Sequence, residues 1–414
     1  MPREAFIPLR PADLVHKLAD EPAVTIFERE KFRQLCQLVE ATIHHEYRSR
    51  LDELKSAYEP FDPDEDRPLQ YQLGPRERMA RCRRLFDRFD ALLTRANYRR
   101  LSRDELEAAI RAPSDTGLRL HLDLDLFERV EIYVRGECSL PMTRRSWRTL
   151  WRTEKATVPT HRRLALIFRL ARRSPLTEPL DEQAVVLKLF KNIPQRDVET
   201  LLPGGAIRLG WLEQAKIVVP TVSGVGLTLF KLLEGASAFA FASLYGLLAF
   251  AGLVSGALGY GIRSFYSYLH TREKYQLSLT RQLYFQNLDN NAGVLFHLLN
   301  EAEEQEFREV VLAWWLLWRG GQTNAKPREL DQAAERWLRE RCGIEVNFEI
   351  GDALAKLRRY GLARESASGR WVAADIDEAL ATLDRAWDQQ FDYQRPTAPE
   401  DKTVEKPRIW RAAA

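Results

Sequence analysis

The chain has 414 residues, enough for two or three domains with cores of their own. Lys and Arg number 62 and Asp and Glu 59, so the net charge is +3 and the chain as a whole lacks the basic excess of a nucleic-acid-binding protein. The four cysteines are too far apart for a zinc motif, and no metal or cofactor is expected: Cys36, Cys82, Cys138 and Cys342.

The N-terminal region, residues 1–110, is predicted to be helical. Apolar residues recur in it at the spacing of one helix face. The residues expected to face a core are Phe27, Phe32, Leu35, Leu38 and Val39, then Phe86, Phe89, Leu92 and Leu93.

Residues 111–216 are predicted to form an α+β domain. Apolar or alternating runs at 118–124, 132–135, 164–170 and 185–190 are typical of strands. His161 lacks partners at any catalytic spacing, so it is interpreted as a surface or hydrogen-bonded histidine. No Ser-His-Asp, paired-carboxylate or Gly-rich nucleotide pattern stands out, and no catalytic residue is assigned.

Residues 187–205 read LKLFKNIPQRDVETLLPGG. A strand is expected first, then a helix capped by Asn192 that stops at Pro203-Gly204-Gly205. The glycines follow the helix and no Gly-Lys-Ser/Thr is present, which argues against a P-loop. Lys188 and Lys191 remain candidates for an anionic ligand, together with Arg135.

A basic stretch runs from residue 141 to residue 173, with ten Lys or Arg and one acid, Glu154. Three interpretations stay open: a solvated basic face, contact with anionic lipid head groups, and nucleic-acid binding, which the expected anchoring of the chain in a bilayer argues against. The candidate ligand-binding or lipid-binding residues are Arg144, Arg145, Trp147, Arg148, Trp151 and Arg152.

Residues 235–262 form a run of 28 residues without a charge, which is long enough to span a bilayer. Together with 217–233 it predicts a transmembrane helical hairpin at 217–262, with a single span as the alternative. Lys and Arg flank both outer ends, which predicts that both termini are cytoplasmic. Small residues predict close helix packing, within the hairpin or between copies in a homo-oligomer: Gly246, Gly252 and Gly256.

The chain after the predicted hairpin is divided into three parts, with boundaries after residues 325 and 393. Residues 263–325 are predicted to be juxtamembrane helices, and 326–393 have the helix, helix, hairpin order of a winged helix. Since 326–395 hold 12 basic and 14 acidic side chains, an unidentified protein partner is favoured over DNA. Residues 394–414 are charged and proline-rich, and disorder is expected there.

Several sequence blocks also resemble the transmembrane protein 143 family, a group with bacterial, plant and mitochondrial members defined by a domain of unknown function. The resemblance implies a membrane protein with a central hydrophobic pair and supplies no catalytic residues. FIPLR begins at residue 6, which leaves little room for an organelle leader and favours a bacterial inner-membrane protein. The blocks are FIPLR (6–10), YEPFDPD (58–64), ANYRRLSRDEL (96–106), FERVEIYVRG (127–136), LKLFKNIPQRDVETLLPG (187–204) and LYFQNLDNNAGVLFHLLNEAEEQE (283–306).

The sequence therefore predicts a mainly α protein with an α+β segment, a central transmembrane hairpin and a C-terminal winged-helix-like domain. The expected function is that of a membrane-anchored adaptor or membrane-organising protein without catalysis. The alternative is a membrane-bound enzyme or lipid-handling protein that acts on a phosphate-bearing ligand through the α+β domain.

Overall fold

The computed structural model describes 4–64, 74–111, 119–121, 124–145, 153–171, 183–204, 206–208, 284–319, 323–391, and single helical positions between 252 and 273. The chain divides into two compact units. The first unit comprises Met1–Phe6 and Tyr47–Gln305, and the second comprises Ile7–Glu46 and Glu306–Ala414. The N-terminal helical region therefore contributes to both units.

The described ranges contain eight long helices, which we number in chain order. Two of them, α2 and α5, run from one unit into the other. The helices are α1 (Pro11–Ala19), α2 (Ile26–Tyr58), α3 (Pro75–Arg95), α4 (Arg103–Arg111), α5 (Ala292–Trp318), α6 (Pro327–Cys342), α7 (Ile350–Arg359) and α8 (Ile376–Asp388).

The first unit is built on a five-stranded antiparallel sheet with the strand order β1-β3-β4-β5-β7. A separate pair, β2 and β6, lies in the same unit, and the hairpin β8-β9 lies in the second unit. The strands are β1 (Arg99–Arg100), β2 (Arg119–His121), β3 (Phe127–Arg145), β4 (Thr153–Leu170), β5 (Val186–Pro194), β6 (Ala206–Arg208), β7 (Asn287–Asn290), β8 (Ala363–Glu365) and β9 (Trp371–Ala373).

One face of the five-stranded sheet is apolar and buried. Because side chains alternate along a strand, even-numbered residues of its central strands share this face, and a 3-10 helix, Gln195–Leu201, packs on it. Burying each large apolar side chain there contributes about 1.5–3 kcal/mol. The face includes Ile132, Val134, Leu164, Leu166, Phe168, Val186 and Phe190, with Val198 and Leu201 from the 3-10 helix.

The pairing of the three central strands skips Gly136, Arg162 and Asn192, which lie between paired residues. Gly136 has a φ of 77° and Asn192 a φ of 55°, both in the left-handed region. Beyond this interruption Ile193 joins the apolar face, although it is an odd number of residues from Phe190. The prediction of Asn192 as a helix cap is therefore wrong: β5 continues to Pro194, and a 3-10 helix follows in place of the expected α-helix.

The strands also extend further than the sequence pattern indicated. β3 and β4 have 19 and 18 residues, and β5 pairs with β4 only between Thr160 and Phe168. The distal part, 139–145 with 153–159, is a two-stranded ribbon about 20–25 Å long. The predicted helical region after residue 263 is interrupted, because β7 forms an edge strand before α5 begins.

The second unit has an aromatic core in which Phe32 of α2 stacks on Trp314 and Trp318 of α5, with ring centroids 6.2 and 6.0 Å apart. The expected core positions Phe32, Leu35 and Val39 are buried. Phe27 is 89% exposed, so its predicted burial is wrong.

The C-terminal part of the second unit runs α6, α7, β8, β9, α8. Ala325, just before α6, adds a bridge to Trp371 of β9. Schellman-type bonds end α6, with the Gly343 N–H donating to Arg339 O and the Ile344 N–H to Leu338 O. Residues 394–414, expected to be disordered, lie outside the described residues.

The prediction of a transmembrane hairpin at 217–262 is contradicted: within the described ranges, no helix is both long and apolar enough to cross a membrane. The longest apolar candidate, α5, has 27 residues but carries a charged run from Glu301 to Glu309, so its uncharged part is shorter than a span of about 20 residues. The same finding contradicts the predicted membrane anchor and the predicted inner-membrane location. Most of 217–262 lies outside the described residues.

We expect Gly136→Ala to destabilise the first unit by about 2–4 kcal/mol, because a Cβ at φ 77° would lie 2.6 Å from the Arg162 Cβ. Gly343→Ala is the control: φ is also positive, at 67°, but no described atom lies within 4 Å of the added carbon. The control should lose only about 1–2 kcal/mol. Urea denaturation followed by circular dichroism measures both, and equal losses would contradict the close packing at Gly136.

Candidate functional site

Three basic side chains form a row across the central strands: Arg135 on β3, Arg163 on β4 and Lys191 on β5. Their neighbours Val134, Leu164 and Phe190 belong to the apolar face. The row therefore lies on the opposite face of the sheet. We call Arg135, Arg163 and Lys191 the basic row.

Arg135 is fully engaged by its surroundings. Its Nη2 lies 2.9 Å from Glu301 Oε1, and its Nη1 donates to Ala96 O at 3.0 Å. The guanidinium stacks on the rings of Phe6, at 3.8 Å, and Tyr98, at 4.5 Å. The side chain is 4% exposed. Arg135 therefore holds the structure together and has little capacity left for a ligand.

The N-terminal segment is anchored beside Arg135. Ala5 O accepts a hydrogen bond from Gln305 Nε2, and Glu4 accepts one from the Glu137 N–H. Both contacts fix the chain immediately before Phe6. Residues 4–6 are thus part of the packing around the basic row.

Glu301 on α5 is the shared counter-charge of the row. It accepts a hydrogen bond from Tyr98 OH at 2.7 Å, and Arg163 Nε lies 3.4 Å from it. Burial opposes ionisation of Glu301, but the charge of Arg135 and the Tyr98 bond outweigh it and hold the pKa of this carboxyl below its usual value. Burial raises the pKa of Tyr98, which stays the donor.

His297, one turn before Glu301, lies between two carboxylates. Its Nδ1 is 3.0 Å from Asp289 Oδ2, and its Nε2 is 3.7 Å from Glu301 Oε1. Gly293 leaves room for this pair, because a Cβ there would lie 2.5 Å from Asp289 Oδ1. Both ring nitrogens therefore face acids, an arrangement that positions the ring at the edge of the site.

The predicted trio of Arg135, Lys188 and Lys191 does not converge. Lys188 lies across from Leu166 and shares the apolar face with Val186 and Phe190, where burial lowers its pKa. Lys191 lies on the other face beside Arg163 and makes no ion pair with any residue of the described ranges.

Five residues of this site were not predicted from the sequence to be site residues: Tyr98, Arg163, Asp289, His297 and Glu301. One local signal was present, because His297 and Glu301 are four residues apart on a helix and so share a face. The long-range pairs carried no such signal, since Tyr98 and Glu301 are 203 residues apart.

The other candidate residues lie elsewhere. Arg144 and Arg145 are at the distal end of the ribbon, where they pair with Glu154 and Thr153 in the strand register. Gly252 is helical and exposed, and no described atom lies within 4 Å of a Cβ added there. The remaining candidates lie outside the described residues: Trp147, Arg148, Trp151, Arg152, Gly246 and Gly256.

His161 differs from its interpretation as a surface or hydrogen-bonded histidine. It is 5% exposed, and its Nδ1 has no hydrogen-bond partner among the described residues. Burial is the main reason that its pKa falls to about 4, so the ring is neutral at physiological pH.

Residues 127–293 match the family described as Protein of unknown function (DUF3754). The chain contains a DUF3754 domain. The DUF3754 domain begins with β3 and ends in the first turn of α5, so it includes the basic row and Asp289 but neither His297 nor Glu301. No solved structure matches the chain.

We expect Glu301→Gln to destabilise the first unit by about 3–5 kcal/mol, because it leaves Arg135 buried without its counter-charge. Folding lowers the pKa of Glu301 from an ordinary value of 4.5, so its contribution is present above that pH and is lost as the pH falls below it. The variant should therefore lose less stability than the wild type on acidification.

Thermal denaturation between pH 3 and pH 7 measures both effects. Glu77→Gln is the control, because Glu77 forms an exposed pair with Arg81 in the same unit and its loss should cost less than about 1 kcal/mol. An acid profile of Glu301→Gln that parallels the wild type would show that folding does not lower the pKa of Glu301.

Proposed function

We propose that this protein is a non-catalytic adaptor that binds a partner protein through its second unit. The observation that carries the proposal is an exposed apolar pair at the start of α2: Ile26 is 80% exposed and Phe27 89%. Adjacent large apolar side chains on a surface favour protein contacts, and aromatic residues are enriched among those that dominate binding.

The backbone under this pair is fixed. Thr25 caps α2 and donates to Glu28 Oε2 through its N–H, at 3.0 Å, and its hydroxyl, at 2.8 Å. Glu28 also pairs with Arg319 of α5. An apolar pair on a rigid helix end is already in its binding conformation, so association costs less conformational entropy.

The charges of α7 support a protein partner over nucleic acid. Lys356 and Arg359 both pair with Glu46 of α2, and Lys356 also pairs with Glu306. Arg358 pairs with Glu365 and stacks over Trp371 at 4.8 Å. Basic side chains held by carboxylates are poorly available to phosphates, although α7 is the second helix of a helix-helix-hairpin arrangement.

The contacts among polar side chains in the first unit also support a binding function over a catalytic one. Arg135, Glu301 and Tyr98 satisfy one another in a buried network, and His297 faces two acids. Such a network stabilises an arrangement of helix and sheet. It supports an adaptor with a rigid first unit.

We expect the double variant Ile26→Ser, Phe27→Ser to lose its partner while it keeps its stability within about 0.5 kcal/mol, because both side chains are exposed. The measurement is affinity purification of the full chain with quantitative mass spectrometry, followed by titration of the purified partner. Met79→Ser is the control, since Met79 is 57% exposed in the first unit.

Three outcomes of that experiment oppose the proposal. The first is an unchanged partner set in the double variant, and the second is an equal loss of partners in the control. The third is light scattering in which the wild type binds only a second copy of itself through this pair.

A phosphate-bearing ligand for the first unit is the second candidate. The strand register supports it, because Arg144 and Arg145 of the basic stretch lie at the distal end of the ribbon. Anionic lipid head groups are the partner proposed for this stretch, since basic and tryptophan residues both favour them.

We expect replacement of Arg144, Arg145, Arg148 and Arg152 by Gln to weaken binding to vesicles that carry anionic lipid, with a smaller dependence on salt. Replacement of four arginines of α3 is the control with an equal charge change: Arg76, Arg78, Arg83 and Arg84. If sedimentation with vesicles falls equally in both variants, net charge and not the ribbon governs the contact.

Kinship with the transmembrane protein 143 family is also part of the proposal. The DUF3754 match supports it, because that match begins with FERVEIYVRG at 127–136 and contains LKLFKNIPQRDVETLLPG at 187–204. Matching blocks in a profile built from that family alone would test it, and their absence would remove the kinship.

A further inference from the structure

The basic row is only partly compensated. Arg135 and Arg163 share Glu301, whereas Lys191 makes neither an ion pair nor a side-chain hydrogen bond with any residue in the described ranges. Lys191 lies directly across from Arg163 in the β4-β5 register. Like charges in directly opposite positions destabilise a sheet. The pair Arg163 and Lys191 therefore lacks an anion that the neighbouring pair has.

The uncompensated end of the row is open to solvent. The side chains of Arg163 and His297 are 29% and 33% exposed, and Lys191 is half-buried. Arg163 directs Nε toward Glu301, and its Nη1 donates to Arg162 O at 3.2 Å. Its Nη2 donates a hydrogen bond to no residue of the described ranges. A donor and a neighbouring ammonium group are thus accessible together.

We propose that Arg163 and Lys191 form a binding subsite for the phosphate group of a phosphate monoester, with His297 at its edge. Arginine binds phosphate through its planar fork and lysine through a point charge. A phosphate monoester carries about −1.5 to −2 charges at pH 7, which matches two adjacent cations better than a single carboxylate does. Glu301 occupies the equivalent position on the other side of Arg163.

Lys188 provides an internal control for this subsite. It is three residues from Lys191 on the same strand and has the same charge, but it lies on the apolar face. Lys191→Met removes one cation of the subsite, and Lys188→Met removes an equal charge from the opposite face. Methionine keeps most of the side-chain length in both variants.

The experiment measures the melting temperature and the binding isotherm of the full chain with inorganic phosphate and with glycerol 3-phosphate. Potassium chloride at equal ionic strength corrects for screening. We expect phosphate to raise the melting temperature of the wild type and of Lys188→Met. Lys191→Met should weaken binding by about tenfold or more. At low salt and without phosphate it should melt no lower than the wild type, because repulsion from Arg163 is removed.

Weaker phosphate binding by Lys191→Met, together with a melting temperature no lower than that of the wild type, shows loss of the subsite and not loss of folding. The proposal is overturned if phosphate has no effect beyond chloride, if Lys191→Met retains the phosphate effect, or if both lysine variants lose it equally. A parallel titration with phosphatidic acid in vesicles distinguishes the source of the phosphate group. Tighter binding to vesicles that also depends on Lys191 assigns the subsite to a lipid head group, and binding to glycerol 3-phosphate alone assigns it to a soluble metabolite. The variant in which Arg144, Arg145, Arg148 and Arg152 are replaced by Gln should bind glycerol 3-phosphate as the wild type does.

Discussion

The ion pair between Glu301 and Arg135 is the contact on which the arrangement of the first unit depends. A buried arginine is tolerated only when its charge and its donors are satisfied, and Arg135 has one carboxylate, one carbonyl and two aromatic rings around it. The sheet supplies the arginine and α5 supplies the acid. The helix must therefore lie over the face of the sheet that carries the basic row, at a position fixed to within the length of a hydrogen bond.

The second unit uses the same device with other residues. Glu46 of α2 accepts hydrogen bonds from Lys356, Arg359 and Tyr360. One carboxylate thus binds three polar side chains at the C-terminal end of α7. In both units a single glutamate on a long helix organises several basic or phenolic groups. Specificity of packing thus depends on a few partly buried acids, while apolar burial supplies most of the free energy.

Alternation and helical period predicted part of this fold from sequence. The apolar runs at 164–170 and 185–190 coincide with buried strands, and Phe32 and Leu35 are buried as expected. Phe27 fits the same helical period, but it precedes the part of α2 that packs on α5, which no local pattern reveals. Asn192 satisfies the rules for a helix cap and for a left-handed strand residue equally, and pairing with β4 decides between them.

The candidate site was less predictable, although one part of it followed from strand geometry alone. Residues three apart on a strand face opposite sides, so Lys188 and Lys191 could not share a ligand. The composition of 235–262 suggested a membrane span because this run contains no charge, yet the described helices give no support for one. The role of Glu301 was not predicted, for another reason. Its partners are distant in sequence, and an acid within an acidic run carries no local signal that identifies its partner.

The distance along the chain between the row and its acid has a consequence for synthesis. Arg163 precedes Glu301 by 138 residues. At about 5–20 residues per second, a ribosome adds Arg163 roughly 7–28 s before it adds Glu301. During that interval the nascent chain carries exposed apolar strand residues together with a basic row that lacks its counter-charge. Such an intermediate is a natural substrate for chaperones, and slow codons between β5 and α5 would lengthen its life.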